Sequence, residues 1–281
     1  MKIKKTILGF TMAAVALSSC NMDYNEYTAY DKEYIERSFA YVGGLMTMVY
    51  NDIDTDWGNL SGAMLSSATD ESEYSHEGNA IEDFYNGNWS ASNPHQTIWT
   101  SAYEGITYCN EIIDNWSNLD FEQFKLNIDY EKQMYLYKNY VYEARWARAY
   151  FYFTLLRQYG SVPFKTTNTT GTEETALPCT NADDIFNFIS KECDAIKDSI
   201  IEDYSANPEY ILARAETGRA NKYAVLALKA QAAVYHASPL FSQNKSAEEK
   251  KALWAAAVGA CKELIDAAEK KGMGLADDIE S

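Results

Sequence analysis

The chain has 281 residues with 41 acidic against 24 basic side chains, a formal net charge of −17 that makes nucleic acid an unsuitable partner, because such binding depends on Lys and Arg neutralising phosphates. The acidity favours solubility and neutral or cationic partners and says nothing about fold. With 22 Tyr, 11 Phe and 6 Trp the chain is 14% aromatic, and the tyrosine excess suits both helix packing and recognition surfaces.

The chain begins Met1-Lys2-Ile3-Lys4-Lys5, continues through an apolar stretch from Ile7 to Leu17, and reaches Leu17-Ser18-Ser19-Cys20. A positive start, a short apolar run and a small-residue cleavage site predict a secretory signal peptide over residues 1–19. The run is shorter than the roughly 20 residues that a permanent bilayer-crossing helix needs. Leu-Ser-Ser-Cys resembles a bacterial lipobox, in which the cysteine is acylated and becomes the new N-terminus. Cys20 is therefore the expected lipid anchor, at the head of a lipidated linker over residues 20–30. Stable anchoring takes more than one acyl chain, at about 0.8 kcal/mol per buried methylene. Losing Lys2, Lys4 and Lys5 with the signal leaves 41 acids against 21 bases, a charge of −20. The mature protein is expected to sit on a membrane surface through its anchor.

Beyond the linker the pattern is helical. Ile35, Phe39, Val42, Met46, Val49 and Ile53 recur at steps of three and four and predict a first helix, with Gly43 and Gly44 inside it explained by close packing. From Asp54 to Asn93 the period fades, and Gly, Asn, Ser and Asp gather with Trp57, Tyr74, Phe84, Tyr85 and Trp89. Such a long connection is functional or disordered, and the aromatic residues argue against disorder. Asn93-Pro94 reads as the start of the next helix, carrying Ile98, Ala102, Ile106, Cys109, Ile113 and Trp116. A longer helix from Asp129 ends at Gly160 and Pro163; Thr180 to Asp183 opens another, which runs to Ile200; a small-residue helix spans Gly218 to His236 and ends at Pro239. Ser246-Ala-Glu-Glu249 is a capping box for the last, which runs to Gly272. The fold class is all-α: a stacked, helical-repeat scaffold with long irregular loops and no convincing alternating strand.

Chemistry-bearing motifs are sparse. Cys109, Cys193 and Cys261 fall at apolar helix positions and, with Cys179, form no Cys-x-x-Cys pair, so free thiols and no zinc site are expected. Asp52-Ile53-Asp54-Thr55-Asp56-Trp57-Gly58 begins like a calcium loop, but Trp57 stands where glycine is required and Ala63 where the bidentate glutamate belongs. A solvated turn is the simpler reading. Arg145, Arg148 and Arg157 lie on a helix dense with aromatics, a setting that suggests either an anion site or, as the favoured reading, a structural role through cation–π stacking and interhelical ion pairs. His76, His95 and His236 have no ligand-type spacing. No cofactor or metal is expected.

The segment from Glu143 to Phe164 (EARWARAYFYFTLLRQYGSVPF) resembles the strongest signature of the SusD/RagB family of outer-membrane nutrient-binding lipoproteins. Gly218 to Phe241 resembles that family's next conserved helix, and Trp254 to Ile265 the one after it. The lipobox, Ser67 to Glu71 and the helix from Trp99 to Asn110 occur in the family's order. The resemblance implies a tetratricopeptide-like scaffold on the cell surface that binds glycans, caps a SusC-like TonB-dependent transporter and is not an enzyme. Family members are longer, so residues 31–281 are expected to be a SusD-like N-terminal helical domain with the C-terminal half of the family absent.

In such relatives the glycan lies against an arc of aromatics with polar groups beside them, partly from the irregular segment after the first helix. Here that segment supplies Asp70, Glu71, Tyr74, His76, Asn79, Asp83, Tyr85, Asn88 and Trp89 as candidate ligand-binding residues. Sugar C–H faces stack on Tyr and Trp, and carboxylates and amides hydrogen-bond hydroxyls. Two other classes compete with an oligosaccharide-binding lipoprotein. A glycoside hydrolase needs two placed carboxylates, which 41 acids neither supply nor deny without geometry. A peptide- or protein-binding subunit of a surface uptake complex would share the transporter and replace the glycan by a long groove.

Overall fold

The computed structural model describes residues 32–53, 62–95, 97–168, 177–205, 216 and 218–274. Cys20, the signal, the linker and Asp54 to Gly58 of the calcium-like motif lie outside the described residues.

A short turn, α1 (Lys32–Ile35), precedes α2 (Phe39–Asn51), whose N-cap Ser38 accepts from the N–H of Ala40. The single helix expected from Ile35 to Ile53 is therefore broken at a capping serine, while Ile35, Val42, Met46 and Val49 stay buried on both sides of the break. A Cβ on Gly43 would lie 3.4 Å from the Tyr140 hydroxyl, whereas one on Gly44 would meet nothing within 4 Å. Close packing explains only the first glycine.

After the irregular stretch and α3 (Asp83–Asn86) comes α4 (Trp99–Asn115), which buries Ala102, Gly105, Ile106, Cys109 and Ile112. It packs against the thirty-residue α5 (Tyr130–Tyr159) so tightly that a Cβ on Gly105 would sit 2.3 Å from Phe151 Cζ. Asn93-Pro94 does not start α4: the helix begins at Trp99 without a side-chain cap, and Asn93 closes a backbone turn with Ser90. Gly160, at φ 69°, stops α5 as expected. Val162–Pro163 (β1) pairs antiparallel with Cys179–Thr180 (β2), a ladder of two residues per strand and too short for alternation to announce it in the sequence.

Asn181, one residue later than the expected start, caps α6 (Ala182–Ile196) through the N–H of Asp183. That helix ends before Ile200, which is nonetheless buried. Asn221 caps α7 (Lys222–Ala237), accepting from Tyr223 and Ala224, so Gly218 lies outside it. Pro239 does not merely end a helix but opens the short α8 (Pro239–Ser242). The capping box of Ser246 and Glu249 is present at the head of α9 (Ala247–Lys270).

Cross-helix contacts give the directions. Between α4 and α5, Asn110 Oδ1 accepts from Arg148 Nη1 at 2.8 Å, while Trp116 O, near the end of α4, accepts from the Tyr137 hydroxyl at 2.9 Å, near the start of α5. Arg145 forks onto Glu192 with two 2.9 Å bonds, and Asn139 Oδ1 accepts from Ile201 N–H at 2.8 Å, which sets α6 antiparallel to α5. His236 at the end of α7 meets Asp183 at the start of α6, and Lys222 at the start of α7 meets Asp198 beyond the end of α6. Lys229 and Lys197 tie α7 and the end of α6 to Glu263 of α9. The result is a tetratricopeptide-like antiparallel stack around one main core running from Ile35 to Ala232. Arg145 and Arg148 do what the sequence suggested: both pair with Glu192, and Arg148 also lies over Phe188, while Arg157 pairs with no carboxylate among the described residues and lies 5.1 Å from the Phe153 ring centre.

On α9, Ala257 and Ala260 are buried, while Trp254, Val258 and Ile265 form an exposed apolar stripe beside them. Among the described residues no helix is long and apolar enough to cross a membrane. Cys109 and Cys193 are buried free thiols, and burial pushes the Cys193 thiol up to about 12.

At the centre lies Glu143, with no solvent exposure. It accepts from Nε and Nη2 of Arg219 at 3.0 Å each, from the Tyr50 hydroxyl at 2.6 Å and from the Asn139 amide at 2.8 Å. Burial works against the charge on Arg219, yet Glu143 holds its pKa above the ordinary value. Burial, then the Glu143 charge, drives the Tyr50 hydroxyl far above the tyrosine range. Glu143→Ala leaves the arginine without its carboxylate and is expected to cost about 3–5 kcal/mol, read from the shift in urea midpoint. A loss below about 1 kcal/mol would contradict a compensated buried pair.

Candidate functional site

The irregular stretch between α2 and α4 folds around a few polar anchors. Asn79 caps a 3-10 turn (Ala80–Glu82), accepting from Ile81 N–H at 2.8 Å and donating to the His76 carbonyl. Ala63 and Ile81 form a small buried cluster on which Tyr74 and Phe84 pack. α3 follows, opens on Asp83, whose carboxylate is the main anchor of the loop, and ends at Gly87. Its Oδ1 accepts from Asn88 at 3.2 Å, and its Oδ2 accepts from Asn93 at 3.2 Å and shares a 2.7 Å hydrogen bond with His95 Nε2. The bond from His95, followed by that from Asn88, keeps Asp83 below the usual carboxylate range. Residues 83–95 are thereby gathered about one carboxylate, with the Trp89 ring 5.0 Å from Phe84.

This loop faces the C-terminal end of α5. Between them lies a cavity of about 910 Å³ with predominantly apolar walls, lined by Phe84, Trp89 and His95 on one side and Arg157, Gln158 and Tyr159 on the other. The Tyr159 ring meets Trp99 edge-on at 5.1 Å, and Trp99 lies 5.0 Å from Tyr103. Tyr103, whose hydroxyl donates to the Pro163 carbonyl at 2.6 Å, belongs with Trp99, Glu104 and Lys165 to a second cleft of about 350 Å³. Trp89 is 55% exposed, Trp99 41% and Tyr159 38%. Trp99 and Tyr159 are in edge contact and Tyr159 shares the cavity wall with Trp89, so three large, partly exposed rings offer a surface suited to a flat, partly apolar ligand with polar edges.

The nine sequence candidates divide on this geometry. Trp89 lines the cavity, and Tyr85 is exposed close to it in sequence. Asp83 and Asn88 bond to each other, Asn79 caps its turn, and Tyr74 packs on the small cluster with His76 at its edge. Asp70 and Glu71 are exposed in the turn after a 3-10 segment (Leu65–Ala68) and do not line the cavity. Reading the sequence missed His95 and the whole Arg157–Tyr159 wall. The one available signal was their position directly before the helix-ending Gly160, where a long helix delivers its last side chains to a loop.

Of the calcium-like motif, Asp52 caps the end of α2, and its Oδ2 makes no hydrogen bond among the described residues. Burial, then the Glu104 charge, raises its pKa. Among the described residues no group of three or more His, Cys, Asp or Glu is placed to hold a metal ion.

No protein-family model and no curated protein matches the sequence. Solved structures do match the fold. One is a SusD-like carbohydrate binding protein from Bacteroides fragilis, 21% identical with a TM-score of 0.58, covering 83% of this chain and 41% of that one. A second is surface glycan-binding protein A from Bacteroides uniformis, 17% identical with a TM-score of 0.52, covering 82% and 46%. A third is a laminarin binding SusD-like protein, 15% identical with a TM-score of 0.51, covering 72% and 41%. The helical stack thus has the fold of SusD-like proteins, as the sequence resemblance implied, and the chain spans about two fifths of the length of the first structure named.

Proposed function

We propose that this chain is the glycan-binding part of a surface lipoprotein that gathers oligosaccharides and passes them to a SusC-like TonB-dependent outer-membrane transporter. The observation that carries the reading is the apolar cavity between the Asp83-centred loop and the end of α5, with Trp89 and Tyr159 on its walls and Trp99 in edge contact with Tyr159. Sugar rings present C–H faces that stack on such rings, while Gln158, Ser90 and Thr97 on the same walls offer hydrogen bonds to hydroxyls. Of the sequence candidates the proposal keeps Trp89 as a direct contact and Tyr85 at the rim; Asp83, Asn88 and Asn79 act by holding the loop. The fold neighbours, described as carbohydrate binding, surface glycan-binding and laminarin binding proteins, support the same class of ligand.

The reading is of a binder rather than a hydrolase, in keeping with fold neighbours described as carbohydrate binding and surface glycan-binding proteins. Acylation of Cys20 would hold the site at the membrane, so a Cys20→Ser chain is expected in the soluble rather than the membrane fraction.

Trp89→Ala removes one aromatic wall and is expected to weaken glycan binding roughly tenfold, equivalent to about 1.4 kcal/mol of lost apolar burial, measured by affinity electrophoresis on a panel of polysaccharides. Unchanged retardation of a folded Trp89→Ala chain would rule out this cavity as the glycan site.

A further inference from the structure

The cavity contains one charged side chain whose bonding departs from that of its kind elsewhere in the fold. Among the described residues Arg37 pairs with Glu33, Arg145 and Arg148 pair with Glu192, and Arg219 pairs with Glu143. Arg157 makes no hydrogen bond or ion pair among the described residues, in a chain with 41 acids to 24 bases. Its guanidinium lies 5.1 Å from the Phe153 ring centre and forms part of the cavity wall.

A purely structural role explains little of this. Arg157 stands in the last turn of α5, where a cation favours the carbonyl end of the helix, but that contact is weak at an exposed position and directs no N–H group. Arg157 lies over the Phe153 ring, and its N–H donors, taken by no described residue, suit an acceptor that offers two oxygens side by side, as a carboxylate or a sulfate does. No carboxylate of the lining competes for it, and His95, the other basic group on the wall, is bonded to Asp83.

We propose that the cavity selects glycans bearing acid groups, a uronate carboxylate or a sulfate ester, with the acid group forked on Arg157 and the sugar ring against Trp89 or Tyr159. This rests on the glycan-binding reading above. The net charge of −17 opposes a polyanion at long range. At physiological ionic strength, however, that repulsion is damped beyond about 8 Å, a range longer than the direct contact between Arg157 and the acid group.

The test is a glycan array, read at about 0.15 M salt, that carries matched pairs: uronate oligosaccharides with their methyl esters, sulfated oligosaccharides with their desulfated forms, and neutral glucans, mannans and xylans. Wild type, Arg157→Gln and Trp89→Ala are compared. The expected result is that at least one acid form exceeds its neutralised partner, and that Arg157→Gln lowers the acid-to-neutral ratio about tenfold or more, as for loss of a charge-assisted hydrogen bond. Which pair responds tells carboxylate from sulfate. Binding of acid and neutral forms alike, or a ratio unchanged in Arg157→Gln, overturns the proposal; if that binding is lost in Trp89→Ala, glycan capture at this cavity stands without it. Binding of no glycan of either kind overturns both.

Discussion

Glu143 is a carboxylate at a point of the fold that water does not reach, and three side chains, two of them from other parts of the chain, bond to it. A carboxylate there would be costly if left alone, because a lone buried ion loses several kcal/mol of hydration. Tyr50 from the end of α2, Asn139 one turn before Glu143 on α5, and Arg219 from just before α7 all bond to it. Tyr204 joins the same set by accepting from Asn139 and donating to the Ala220 carbonyl. Tyr50 in turn accepts from Ala220 N–H at 2.8 Å, so the segment ahead of α7 is placed by backbone as well as side-chain bonds. Apolar burial alone would allow α2, α5 and α7 to slide along one another. The directional bonds of this network fix their register.

That register decides where α5 ends. With its middle held by Glu143 and by the fork of Arg145 on Glu192, the helix runs thirty residues and delivers Arg157, Gln158 and Tyr159 to its far end, where Gly160 turns the chain away. The opposite wall of the cavity has its own anchor. Asp83 draws Asn88, Asn93 and His95 together and thereby holds Phe84 and Trp89 on the wall of the cavity across from the helix end. Two carboxylates that line no part of the larger cavity therefore shape it, one from the core and one from the back of a loop.

Most of the helices were legible because each is written locally. Ser246 and Glu249, three residues apart, satisfy each other's backbone groups, and nothing distant is needed to see it. Asn93-Pro94 carries an equally good local signal and misleads, because the Asn93 amide is taken by Asp83 and its backbone by Ser90. α4 then starts six residues after Asn93. The site was legible only in part for a related reason. Asp83, Asn79 and Asn88 have the chemistry that holds a sugar, and the same chemistry holds a loop without secondary structure together; only geometry separates the two uses. Arg157 and Tyr159 stand more than sixty residues from Trp89 in the chain and meet it only because α5 has the length and register it has.

The central claim is that a glycan lies against Trp89, Tyr159 and Trp99. Hydroxyl-radical footprinting of the chain with and without a bound oligosaccharide tests it most directly, since Trp254, exposed on α9 away from the cavity lining, serves as an internal control. The account predicts that the ligand lowers oxidation at Trp89, Trp99 and Tyr159 and leaves Trp254 unchanged. Protection of Trp254 with Trp89 and Tyr159 unaffected would place the ligand on α9 and contradict it.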